Sequence, residues 1–229
     1  MPVRTAAALA PRFNAFDDLR LTNGENPTSR VNEFTYTKGT EIYGEGEPAV
    51  YVYQVKKGAV RSYKLLSDGR RQISEFHLVG DIFGLTSSEY HRFTTEAVID
   101  TTLSLINRES LETRARTDGP VARNLLSMTA RDLKHAEDHL LLLGRKDALE
   151  KVATFLIEMD KRLTAAGAMT LPMVRNDIAD YLGLTVETVS RALSQLHRAG
   201  IVSVAGKQSL RREITILDRR QLLSLDLQD

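Results

Sequence analysis

Glu187, Ser190 and Arg191 are spaced i, i+3 and i+4, so a helix places all three on one face. Their chemistry suits the edges of base pairs. An arginine can take both acceptors of a guanine, a carboxylate can accept from the amino group of a cytosine, and a serine hydroxyl can do either. Val186, beside them, offers a methyl-sized apolar contact for a thymine methyl. The same residues also fit an ordinary exposed face carrying a Glu187–Arg191 salt bridge, a pair at the spacing that favours helices. The flanking elements favour base reading. Arg175 to Leu182 predicts a short helix, Gly183 and Leu184 a turn, and Val186 to Arg198 a recognition helix stopped by Ala199-Gly200. Ile201 to Val204 and Glu213 to Leu217 predict two short strands around Gly206, and Arg219 to Leu227 a closing amphipathic stretch. Together these make a winged helix-turn-helix.

The rest of the chain must position that face. Residues 1–30 are weakly patterned, with turns at Asn23-Gly24 and Asn26-Pro27, and predict an irregular arm. From Val31 to about Leu105 come β-prone stretches: Val50 to Val55, Ala59 to Leu66, Gln72 to Phe76 and Ala97 to Ile106. Glycine turns separate them, with a hairpin at Ser67-Asp68-Gly69, and predict an antiparallel sandwich or roll. After Pro120 the period becomes helical. Leu126, Leu133 and Leu140 recur every seven residues, with Thr129, Ala136 and Leu143 three further on, a coiled-coil-like seam. The alternative is a helix packed on its own roll. A second helix is predicted from about Arg145 to Leu163, ended by Gly167. The resulting division is an arm (1–30), a β-roll (31–117), a dimerisation helix (118–144) and a winged domain (145–229).

Composition agrees and excludes. The chain has 229 residues, 42% of them hydrophobic, material for two small cores. A net charge of +1 does not by itself indicate nucleic acid. Between Arg175 and Arg212, however, six basic residues face three acidic ones, Asp177, Asp180 and Glu187, a local excess of 6 − 3 = +3. There is no cysteine, so disulfides, thiolate metal sites and thiol switches on this chain are excluded. Apolar runs are only a few residues long, such as Leu140 to Leu143, which argues against secretion or a membrane span and for a cytoplasmic protein. No paired carboxylates, activated nucleophile or phosphate loop supports an enzyme.

The glycine-punctuated roll, long helix and winged helix-turn-helix resemble the CRP/FNR superfamily of bacterial transcription regulators over nearly the whole chain, and its FNR and FixK branch most. Two segments carry this: Asp177 to Arg191, which contains the branch's E-x-x-S-R signature, and Gly80-Asp81-Ile82-Phe83-Gly84-Leu85 in the roll. The resemblance implies an α+β fold: an N-terminal antiparallel, cyclic-nucleotide-binding-like β-roll, a long dimerisation helix and a C-terminal winged helix-turn-helix. It also implies Glu187 on cytosine, Arg191 on guanine, and Val186 and Ser190 at the outer thymine-rich positions. Arg175, Thr185, Thr188 and Lys207 occupy places where the superfamily contacts phosphate, fixing register without reading sequence. Half-sites close to TTGAT and ATCAA follow.

The sensor end departs from the family pattern. Members responsive to cyclic AMP carry a ribose-binding glutamate after the roll glycine; here Leu85 follows Gly84, and the later segment reads His91-Arg92-Phe93-Thr94. Arg92 could still meet a phosphate, though a surface cation is the simpler reading. The cysteine cluster of oxygen-sensing members is missing. Carbon-monoxide sensors hold haem through a roll histidine and an N-terminal proline, and His91 and Pro2 lie in comparable places. His135 and His139 have the i, i+4 spacing of a metal pair, with no third ligand apparent.

The expectation is a sequence-specific activator that binds palindromic DNA as a homodimer, without cofactor or effector, and touches RNA polymerase through exposed roll loops such as Lys64 to Arg71. An effector-gated regulator, sensing a nucleotide or haem through the roll, is the alternative. A nucleotide-sensing module controlling an enzyme or channel would share the roll but not residues 175 to 217.

Overall fold

The structure, a computed structural model, describes residues 32–164, 167–205 and 213–226. The roll comprises β1 (Asn32–Tyr36), β2 (Glu41–Tyr43), β3 (Tyr51–Lys57), β4 (Ala59–Leu65), β5 (Arg71–Leu78), β6 (Ile82–Phe83), β7 (Thr94–Ala97) and β8 (Thr101–Asn107). These form two antiparallel sheets, ordered β1-β8-β3-β6 and β2-β7-β4-β5. The antiparallel roll predicted from turn spacing is therefore present. The hairpin also stands where predicted: Leu66 N donates to Arg70 O at 2.8 Å and Gly69 N to Leu66 O at 2.9 Å.

The stretch from Ala97 to Ile106 reads as one strand but is two. β7 pairs with β4 in one sheet and β8 with β3 in the other, so the chain must change sheets between them. It does so at Asp100, whose carboxylate accepts Lys38 N at 2.9 Å. Gly58 makes the reverse crossing from β3 to β4 at φ 94°. A Cβ there would overlap the Thr101 hydroxyl and lie 2.6 Å from Asp100 O, so a side chain is excluded.

β3 lacks apolar alternation because both its faces are covered. Tyr53 and Val55 enter the roll with Tyr43, Val60, Phe83, Leu103 and Leu105. Val52 faces the other way, against Ile106, Leu111 and Val121. Leu111 belongs to α1 (Arg108–Thr117), a helix that sequence periodicity misses because Leu111 is its single buried residue. Asn107 starts it, its side chain accepting Ser110 N at 3.1 Å.

α2 (Gly119–Arg145) runs 27 residues from an Asp118 cap with Pro in its first turn. Its inner face buries Val121, Met128 and Leu142, while Leu126, Leu133, Leu140 and Leu141 remain 70%, 60%, 73% and 60% exposed. One side of the helix thus packs on its own chain, and the other presents an exposed leucine row. α3 (Ala148–Leu163) begins three residues later than Arg145, since Asp147 and Glu150 form a reciprocal cap. It ends at Leu163, capped by Thr164 rather than by Gly167.

Next come β9 (Met169–Thr170), α4 (Arg175–Leu182), α5 (Val186–Arg198), β10 (Val202–Ala205), β11 (Glu213–Ile216) and α6 (Arg219–Asp226). β9, unpredicted, extends the wing to a three-stranded sheet ordered β10-β11-β9. Length and composition suggest two separate cores; the structure joins them. One apolar cluster runs from Ile73, Phe76 and Leu78 of β5 through Val152, Phe155 and Leu156 of α3 to Ile178, Tyr181 and Leu193 of the winged domain. Phe76 and Tyr181 meet across it at 5.3 Å between ring centroids. No helix among the described residues is long and apolar enough to cross a membrane.

Candidate nucleic-acid interface

α4 and α5 have the predicted bounds, joined at Gly183, which holds the left-handed conformation (φ 62°, ψ 39°) that ends α4. α5 buries Val189, Ala192, Leu193 and Leu196, and this inner stripe turns Glu187, Ser190 and Arg191 outward. Glu187 and Arg191 are exposed and Ser190 half-buried. No Glu187–Arg191 ion pair forms among the described residues, so the guanidinium of Arg191 stays available. A backbone amide and the Thr185 hydroxyl hold the Glu187 carboxyl below the usual carboxylate range, so it is a charged acceptor at neutral pH. Val186 is half-buried and packs partly on its own core, leaving less surface for a thymine methyl than its position suggests.

The anticipated phosphate anchors fall in different surroundings. Thr185 caps α5, its Oγ1 accepting Thr188 N at 3.2 Å and lying 3.0 Å from Thr188 Oγ1. Both threonines therefore sit at the positive end of the helix, where backbone N–H groups suit an anion. Arg175 donates through Nη1 to Ser190 Oγ at 3.1 Å. Lys207 and Gly206 lie outside the described residues.

The largest omission of sequence reasoning lies behind α4. Asp177 and Asp180 count as acidic charges opposing DNA, but the roll neutralises both. Asp177 Oδ1 accepts from Arg61 Nη1 at 2.8 Å and Arg71 Nη2 at 2.6 Å, and Asp180 Oδ2 accepts from Arg71 Nε at 2.9 Å and Nη2 at 2.7 Å. Arg61 also binds Glu96 at 2.7 Å, and Gln72 Nε2 donates to Tyr181 O at 3.2 Å. Burial opposes the charge of Arg71, yet Asp180 and Asp177 outweigh it and hold its pKa above the ordinary arginine value. β4 and β5 thereby clasp the reading domain from behind. Partners more than a hundred positions apart leave no periodicity to detect. Arg71 is thus committed within the chain, and the exposed part of the Lys64 to Arg71 loop is its tip, including Leu65 and Leu66.

A second polar cluster joins α2, α3 and the roll. His135 Nε2 and Tyr181 Oη approach Glu158 at 3.4 Å each, and Arg162 binds Glu158 and Asp81. His139 stacks on Tyr181 at 4.2 Å. His135 and His139 thus both meet Tyr181, one at its hydroxyl and the other on its ring, and no group of three or more metal-binding side chains occurs among the described residues.

Inside the roll, aromatic rings occupy the space between the sheets. Tyr43 stacks on His91 at 3.6 Å, Tyr53 on Phe83 at 5.1 Å, and His77 on Phe83 at 4.7 Å. Burial pushes the His77 imidazole down to about 4, so it is neutral, and its Nε2 meets Ser62 Oγ at 2.8 Å. Leu85 packs outward on the Val52–Leu111 cluster, and Arg92 is exposed.

Known proteins place this architecture. Residues 150–225 match the Crp-like helix-turn-helix domain, and residues 33–118 the cyclic nucleotide-binding domain. The chain is 41% identical to the nitrogen fixation regulation protein FixK of Rhizobium meliloti (strain 1021), over 77% of this chain and 80% of that one. It is 42% identical to the FixK of Azorhizobium caulinodans, over 83% and 77% of the two chains. The structure of FixK2 from Bradyrhizobium japonicum superposes with a TM-score of 0.83 at 61% identity, covering 87% of this chain and 99% of that one. With α5 exposed, both domain types matched and FixK relatives aligned over more than three quarters of their length, the chain belongs to the FixK branch of the CRP/FNR family and is a DNA-binding transcription regulator.

Proposed function

We propose that the protein is a homodimeric activator that reads a palindrome close to TTGAT and ATCAA without a small-molecule effector. The observation that carries this is the outward face of α5, where Glu187, Ser190 and Arg191 stand together above a buried stripe. Arg191 meets guanine, Glu187 cytosine, and Val186 and Ser190 the outer thymines. Thr185 and Thr188 at the start of α5, with Arg175 and Lys207, meet phosphate. The leucine row of α2 (Leu126, Leu133, Leu140), with Thr129 and Ala136, pairs two copies, and Leu143 closes the seam. Leu143 is half-buried, 3.5 Å from where a Cβ on Gly183 would sit, so it touches the reading domain as well. Two recognition helices then address major-groove faces about one helical turn apart. Pyrimidine–purine steps in such a site bend readily. The domain division of 31–117, 118–144 and 145–229 follows the same plan; the expected arm of 1–30 lies outside the described residues. The exposed tip of the β4–β5 hairpin is the surface offered to RNA polymerase.

Independence from an effector rests on the ring-filled roll, on an apolar Leu85 packed on the Val52–Leu111 cluster where a ribose carboxylate would stand, and on the ionic clasp. Protein purified in air, without added metal or nucleotide, should select this palindrome from random DNA, and cyclic AMP should change its affinity less than about twofold. Selection that appears only after adding a cyclic nucleotide, haem or iron would establish effector gating instead.

A further inference from the structure

Ser190 is the most ambiguous of the base-reading side chains, since a hydroxyl has one donor and two lone pairs and suits either kind of base edge. Its surroundings remove the ambiguity. Arg175, in the first turn of α4, reaches fifteen positions along the chain and donates through Nη1 to Ser190 Oγ at 3.1 Å. A guanidinium only donates, so the hydroxyl is the acceptor in this bond. Among the described residues the Ser190 hydroxyl donates to no backbone carbonyl, whereas Ser194 donates to Ser190 O at 2.8 Å. Among the described residues, Arg175 enters no ion pair, because the carboxylates of α4 are already taken: Arg61 and Arg71 hold Asp177, and Arg71 holds Asp180. The clasp behind α4 thus frees Arg175 for the front.

We propose that Arg175 is a specificity-determining positioning residue, which by donating to Ser190 Oγ presents the Ser190 O–H outward as a donor and makes that base position select an acceptor edge. A charge-assisted bond to the oxygen polarises the O–H and strengthens its donation. The nearby positive charge also disfavours the amino groups of adenine and cytosine and favours carbonyl or ring-nitrogen acceptors, such as thymine O4. This goes beyond phosphate anchoring, which carries no sequence information, and it rests on the proposed base contact of Ser190.

The test is selection from DNA randomised across the half-site, at fixed salt, with the full-length wild type, Arg175→Ala, Ser190→Ala and the double variant, each checked for folding by circular dichroism. Ser190→Ala should relax one base position. Arg175→Ala should relax the same position, lowering its preference on the order of fivefold, and leave the positions read by Glu187 and Arg191 as in wild type. The double variant should be no more relaxed there than Ser190→Ala. Should the alanine variant unfold, Arg175→Gln, which removes the charge, should relax the same position. Uniform weakening on all sequences with wild-type base preferences, and a salt slope reduced by about one, would make Arg175 a phosphate anchor and overturn the inference alone. Unchanged preferences in Ser190→Ala would instead overturn the base contact on which it rests.

Discussion

Leu133→Asp should yield a folded monomer that no longer binds its palindrome specifically. Leu126, Leu133 and Leu140 stand in one exposed row on α2, a helix anchored to its own chain on the opposite side by Val121, Met128 and Leu142. Each leucine buried between two copies stabilises the pair by about 1.5–3 kcal/mol. An aspartate at position 133 would instead place two like charges in an apolar seam. Because Leu133 is exposed in the single chain, its replacement should leave the fold of each chain intact, with the melting temperature lowered only by what dimerisation contributed. Without the partner, each reading helix binds alone, and the gain from linked half-sites, on the order of a hundredfold or more, disappears. Sedimentation and gel shift on the same sample check both halves of this expectation. A variant that stays dimeric would place the interface elsewhere on the molecule.

Asp177→Ala should destabilise the protein by about 3–5 kcal/mol, the range for breaking a buried charge pair by removing one partner. The Asp177 side chain is 3% exposed, and those of Arg61 and Arg71 14% and 19%. Its other oxygen accepts Val174 N at 3.3 Å and so starts α4. Removal therefore costs a helix cap and leaves two guanidinium groups confronting each other beneath the reading domain. Asp68→Ala is the control: its pair with Arg70 is exposed, at 49% and 77%, and solvent screening should leave its removal with little effect. Denaturant unfolding of both variants checks the contrast. A loss in Asp177→Ala as small as that of Asp68→Ala would mean that the roll does not hold the reading domain.

Local signals in the chain revealed what local physics builds. The capping Thr185, the left-handed Gly183 and the inner stripe from Val189 to Leu196 are encoded within fourteen residues, and α4 and α5 have the bounds they imply. Short edge strands such as β9, and the largely polar α1, carry too few apolar residues to show a period. Asp100 hides a change of sheet inside a continuous β-prone run. Leu141 and Leu142 are equally apolar in sequence, yet one is exposed and the other buried, because one helical step carries the chain from the leucine row to the core. Arg61 and Arg71, the residues that fix where the reading face sits, look like ordinary charges on two strands. Their roles exist only once α4 is folded against β4 and β5.

The base preference of Arg191→Ala tests the central claim most directly. Wild-type protein should select the same guanine in both half-sites, and the alanine variant should lose about 1–3 kcal/mol of affinity per half-site and accept other bases there. Recovery of the same guanine at unchanged affinity would contradict the claim that the outward face of α5 reads DNA.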